Sequence, residues 1–94
     1  MEKQRFVDKI ALVTGGANGL GRGMVDQLVK EGAQVAVFDI EDGTMEEAFA
    51  HNDRVCCLHC DVRDYDQVQK GVRDVIERYG RVDVLMNNAG IIHR

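Results

Sequence analysis

"KIALVTGGANGLGRGMVDQLVKEG", residues 9–32, changes its hydrophobic period once, and its glycines mark the place. The run 9–14 is apolar, too short for a helix, and ended by Gly15 and Gly16. From residue 20 to 31, Leu20, Met24, Val25, Leu28 and Val29 recur at helical spacing, and Gly32 supplies a stop. A buried-looking strand therefore passes through a glycine-rich turn into an amphipathic helix.

The alternation continues outward from this unit with no proline-rich or low-complexity linker. "QVAVFD", residues 34–39, reads as a second strand, and "VCCLHC", residues 55–60, as a third. The stretch 41–53 is weaker; "GTMEEAFA" suits one or two helical turns, with Thr44 as cap and Glu47 completing a capping box. A helix is predicted from an Asp64 cap, with Gln67 three residues on, through Val68, Val72, Val75, Ile76 and Tyr79 to Gly80. "VDVLMN", residues 82–87, is the fourth strand. Strands that look buried on both faces and alternate with helices indicate a parallel sheet covered on both sides. Right-handed crossovers leave few topologies, and the expected fold is a partial doubly wound (Rossmann) α/β sheet of about four strands in the order 3-2-1-4. In such a sheet ligands bind outside the carboxyl ends of the strands where the order reverses. "TGGANGLG" after strand 1 and "NNAG" after strand 4 both border that crevice.

Composition bounds the function classes. Ninety-four residues suit a single domain, one able to bury roughly 60 to 65% of its unfolded surface. Apolar residues make up 45% and charged residues 30%, which argues against disordered, collagen-like and membrane classes. Twelve Lys and Arg against sixteen Asp and Glu give a net charge of −4, so a nucleic-acid partner is not expected. No apolar run approaches the roughly 18 residues of a membrane span, and residues 1–9 are too polar for a secretory signal. The expected location is cytoplasmic, and no membrane partner is expected. The cysteines, Cys56, Cys57 and Cys60, raise a metal reading, with His59 between the last two. On a strand Cys56, Leu58 and Cys60 share one face and Cys57 and His59 the other, so four ligands cannot converge on one tetrahedral zinc. Buried free cysteines in a reducing compartment are expected instead.

The glycine loop carries the chemistry. Gly15, Gly19 and Gly21 stand where a strand must turn sharply into a helix, permit positive φ, and let backbone approach a pyrophosphate. Free N–H groups and the positive end of the helix dipole then face the anion. Asp39 ends strand 2, 18 residues beyond Gly21, where a carboxylate can accept hydrogen bonds from ribose hydroxyls. Glycine turns without ligands are common, and the surrounding strand, helix and acid distinguish this one.

These residues resemble the short-chain dehydrogenase/reductase family over nearly the whole chain. Thr14 to Gly21 fit its T-G-x-x-x-G-x-G loop, Asp61-Val62 look like its adenine-contacting pair, and Asn87 to Gly90 match its N-N-A-G. The resemblance implies a nicotinamide dinucleotide cofactor held by Gly15, Asn18, Gly19, Leu20, Gly21 and Asp39. It further implies adenine contacts from Asp61 and Val62, and contacts to the adenosine side from Asn87, Ala89 and Gly90. Local roles for Asp61 and Asn87 in turn formation stay open. Family members that prefer the phosphorylated cofactor commonly carry a basic residue at the positions of Asn18 or Ile40, so NAD is expected.

The family's catalysts are a Ser and a Tyr followed four residues later by Lys. These 94 residues contain no serine; Tyr65 is followed four on by Gln69, and Tyr79 by Asp83. No phenol beside a lysine is available to exchange a proton with a substrate carbonyl, so no catalytic residue is assigned. The chain reads as one dinucleotide-binding segment, residues 1–94, of a longer oxidoreductase acting on an alcohol or carbonyl. The alternative is a stand-alone nucleotide-binding or assembly module. Either self-association or pairing with a carboxyl-terminal part is expected, because strand 4 would otherwise be an open edge.

Overall fold

A computed structural model describes residues 4–17 and 19–88. Its elements run β1 (Ile10–Thr14), α1 (Gly19–Lys30), β2 (Gln34–Asp39), α2 (Asp42–Phe49), β3 (Val55–His59), α3 (Tyr65–Tyr79) and β4 (Val84–Asn87). The four strands form one parallel sheet in the order β3-β2-β1-β4, as the alternation of periods predicts. Ile10 faces Gln34 across β1 and β2, and Leu12 faces Leu85 across β1 and β4.

Helices cover both faces because side chains alternate along each strand. On one face Ala11, Val13, Val35 and Val37 pack against Val25 and Leu28 of α1 and Met45 and Phe49 of α2. On the other, Ile10, Leu12, Ala36 and Phe38 meet Val75 of α3, with Leu58, Val68 and Val72 at the margin. Gly71 makes the α3 contact close, since a Cβ there would lie 2.7 Å from Phe38 Cζ. The central strands β1 and β2 are buried almost throughout, whereas β3 and β4 are only partly covered.

Helix ends follow local chemistry. The Asp64 side chain accepts from the N–H groups of Asp66 and Gln67, and Gly80 closes α3 at φ 88° with its N–H on the Ile76 carbonyl. The α1 terminus is held by the chain that precedes β1. Gln4 Nε2 donates to the Lys30 carbonyl at 2.7 Å, Phe6 N–H donates to the Glu31 carbonyl, and the Arg5 guanidinium grips the Glu31 carboxylate. Gln27 donates to the same carboxylate at 2.8 Å, and Glu31 is buried despite its charge.

Two expectations need correction. α2 does not start from a Thr44 cap; it opens after Glu41, and Thr44 lies in its first turn with its hydroxyl 3.4 Å from Glu41 Oε1. The cause lies upstream: Asp39 Oδ1 accepts the N–H groups of Ile40 and Glu41 and turns the chain straight off β2 into the helix. Buried cysteine is correct for Cys60 alone, since Cys56 is half-buried and Cys57 exposed. As the outer strand, β3 has β2 on one side and, among the described residues, no strand on the other. Cys60 lies just beyond it, turned into the α3 face, where burial and the Asp61 and Asp64 carboxylates push its thiol pKa up.

Candidate functional site

The loop between β1 and α1 lies flat on the core. Gly15 stands at φ 67° and Gly19 at φ 57°, in the left-handed region that favours glycine. Gly16 rests on valines, since a Cβ there would lie 2.9 Å from Val37 Cγ1 and 3.1 Å from Val25 Cγ2. At Gly21 a Cβ would overlap the Gly15 carbonyl oxygen and lie 2.7 Å from Asn88 Nδ2. The missing side chain of Gly19 faces open space, which leaves the loop backbone approachable at the start of α1. Leu20, next in α1, is 74% exposed at that same end.

Asp39 joins this loop to β2. Its Oδ2 accepts the Ala17 N–H at 3.2 Å, while Oδ1 holds Ile40 at 2.7 Å and Glu41 at 3.1 Å. The Asp39 carbonyl accepts the Cys60 N–H at 3.0 Å, so the end of β3 is tied to the end of β2. Directly beyond, Asp61 is fixed on several sides. Its carboxylate accepts from the Arg63 N–H and Nε on Oδ1 and from Nη2 on Oδ2, each at 3.0 Å. Its own N–H donates to Gln67 Oε1 at 2.8 Å. The Arg63 hydrogen bonds hold the Asp61 carboxyl at about 2, well below the usual range. Val62 follows, half-buried.

β4 joins the site on the side of β1 away from β2, through Thr14 at the end of β1. Thr14 Oγ1 donates to Asn87 Oδ1 at 2.6 Å and accepts the Asn88 N–H at 3.0 Å. Asn88 Nδ2 reaches the Gly15 carbonyl at 3.4 Å. The structure thus gathers Gly15, Gly19, Leu20, Gly21, Asp39 and Asn87 around the carboxyl ends of β1, β2 and β4, with Asp61 and Val62 beside them after β3. The predicted residues Asn18, Ala89 and Gly90 lie outside the described residues. Sequence reasoning named Thr14 as part of the loop motif and Gln67 as the partner of the Asp64 cap, and the Gln67–Asp64 contact forms. It missed the bonds from Thr14 to Asn87 and Asn88 and from Gln67 to the Asp61 N–H. The available signals were the threonine ahead of the glycines, the doubled asparagine and the Gln three residues after a cap.

Residues 9–94 match the family model described as short chain dehydrogenase. The chain belongs to that family. Among short chain dehydrogenase relatives, it is 43% identical over 88 residues to a cis-2,3-dihydrobiphenyl-2,3-diol dehydrogenase of Rhodococcus globerulus, covering 93% of this chain and 31% of that protein. It is 36% identical over 90 residues to zerumbone synthase of Zingiber zerumbet, covering 93% and 34%. A solved 3-ketoacyl-(acyl-carrier-protein) reductase from Brucella melitensis, complexed with NADH, superposes with a TM-score of 0.86 at 32% identity, over 95% of this chain and 37% of that one. The chain spans about a third of the length of the curated relatives it matches, and corresponds to their amino-terminal part. The short chain dehydrogenase fold accounts for the sheet order and the placement of the glycine loop at its reversal point. Among the described residues no helix is long and apolar enough to cross a membrane.

Proposed function

We propose that this chain is the NAD-binding, amino-terminal part of a cytoplasmic short chain dehydrogenase that moves hydride between NAD(H) and an alcohol or carbonyl substrate in the complete protein. The observation that carries this reading is the Asp39 carboxylate, hydrogen-bonded to the glycine loop at Ala17 and standing at the end of β2. The bound nicotinamide would supply the hydride chemistry. Gly15, Asn18, Gly19, Leu20 and Gly21 take the pyrophosphate side, where loop N–H groups and the start of α1 favour an anion. Asp39 takes the ribose, Asp61 and Val62 the adenine, and Asn87, Ala89 and Gly90 the remaining adenosine contacts. The NADH bound by the Brucella melitensis relative supports the choice of cofactor.

Asp39 also sets the preference. A carboxylate accepts a hydrogen bond from a ribose hydroxyl and repels a phosphate there, and neither Asn18 nor Ile40 supplies a compensating positive charge. Like charges placed together cost several kcal/mol, so NADH should bind at least about tenfold tighter than NADPH. Fluorescence titration of the two reduced cofactors tests this. Tighter NADPH binding overturns it.

A further inference from the structure

The Asp61 carboxylate is held by Arg63, only two residues away. Oδ1 carries two donors, the Arg63 N–H and Nε, and Oδ2 carries one, Nη2. An ionised carboxylate offers about four acceptor positions, so Oδ2 keeps one for a further donor. The rest of the loop is equally fixed. Gln67 holds the Asp61 N–H, and the Asp61 carbonyl accepts the Asp64 N–H at 2.9 Å, so the backbone cannot swing the carboxylate away without breaking the start of α3. Arg63 is 70% exposed and Asp61 27%, so the pair contributes little to stability. What the fork supplies is direction: two parallel N–H bonds fix the plane of the carboxylate, which one point charge cannot do.

We propose that Arg63 is a positioning residue for base recognition, its fork orienting Asp61 so that Oδ2 receives the exocyclic amine of adenine. The proposal rests on the dinucleotide reading above. A carboxylate so oriented accepts but does not donate, so it favours the 6-amino group of adenine and rejects the 6-oxo group of hypoxanthine. Gln67 supports the same geometry from the main-chain side.

The test compares NADH with reduced nicotinamide hypoxanthine dinucleotide, titrated by fluorescence against the wild type, Arg63→Ala, Arg63→Lys and Asp61→Ala. Circular dichroism checks that each variant is folded. The wild type should prefer the adenine form, and Asp61→Ala should abolish the preference. Arg63→Ala should reduce it about three- to tenfold, the range for one net hydrogen bond. Arg63→Lys, which keeps the charge and loses the fork, should resemble Arg63→Ala. If Arg63→Ala weakens both dinucleotides equally, its role is merely structural and the proposal fails. If it keeps the wild-type ratio while Asp61→Ala loses it, Arg63 is dispensable and the adenine reading of Asp61 stands alone. An unchanged ratio in Asp61→Ala overturns that reading and the proposal together. Absence of NADH binding by the wild type removes the dinucleotide reading itself.

Discussion

A methyl group on Gly19 would meet open space but would force an L-residue to φ 57°, whereas on Gly21 it would overlap the Gly15 carbonyl oxygen. Gly19→Ala should therefore cost about 1 to 2 kcal/mol, the left-handed penalty. Gly21→Ala should cost about 3 kcal/mol, the upper end of overpacking, because backbone cannot rotate aside. Urea unfolding of the two variants measures both. Glu31 makes a prediction in pH. Arg5 and Gln27 hold its carboxyl at about 2, against an ordinary 4.5. A lowered folded value means the stabilisation is full above about 4.5 and disappears as pH falls towards 2. Wild type and Glu31→Gln should differ in urea midpoint at neutral pH, and the gap should close across that window. At this scale the sequence was legible where a residue acts through its backbone. Gly15 and Gly19 could be assigned because only a turn explains them. Thr14 and Asn88 could not, because their role depends on β1 and β4 lying side by side, a contact 73 and 74 residues apart along the chain.

The elements themselves were predictable from period alone, and their limits only where the terminating residues are local. α3 was readable to its ends because Asp64 and Gly80 terminate it with their own side chain and φ. α2 was misplaced because its start is decided by Asp39, a residue of the preceding strand, and no capping pattern within residues 41–53 records that. The cysteines were misjudged for a related reason, since burial of a strand depends on its rank in the sheet. β4 illustrates the converse. Leu85 pairs in register with Leu12 yet is 63% exposed, and among the described residues β4 has β1 as its sheet neighbour and no strand beyond. Its backbone N–H and C=O groups on that side invite another strand. The 94-residue chain alone should therefore self-associate at micromolar concentration in light scattering, and Leu85→Lys should lower the apparent mass. A stable wild-type monomer contradicts this.

For the molecule as a whole, binding and chemistry separate. The chain offers a glycine loop, two acids and an asparagine at the carboxyl ends of its strands, and no serine or Tyr-x-x-x-Lys. The 94-residue chain should bind NADH and yet give no steady-state rate above background over a panel of alcohols and ketones. A measurable rate from chain of confirmed mass contradicts the reading. The bond from Ala17 to Asp39 carries a further meaning for how such a protein could change over generations. On the dinucleotide reading proposed above, the acid that would exclude a phosphate also anchors the loop, so a lineage drifting towards the phosphorylated cofactor through replacement of Asp39 would first loosen its hold on both cofactors. A basic residue at position 18 or 40 would then arrive in a weakened background. The easier path has a second anchor for Ala17 in place before the acid is lost, which makes the order of substitutions, as well as their identity, part of the specificity.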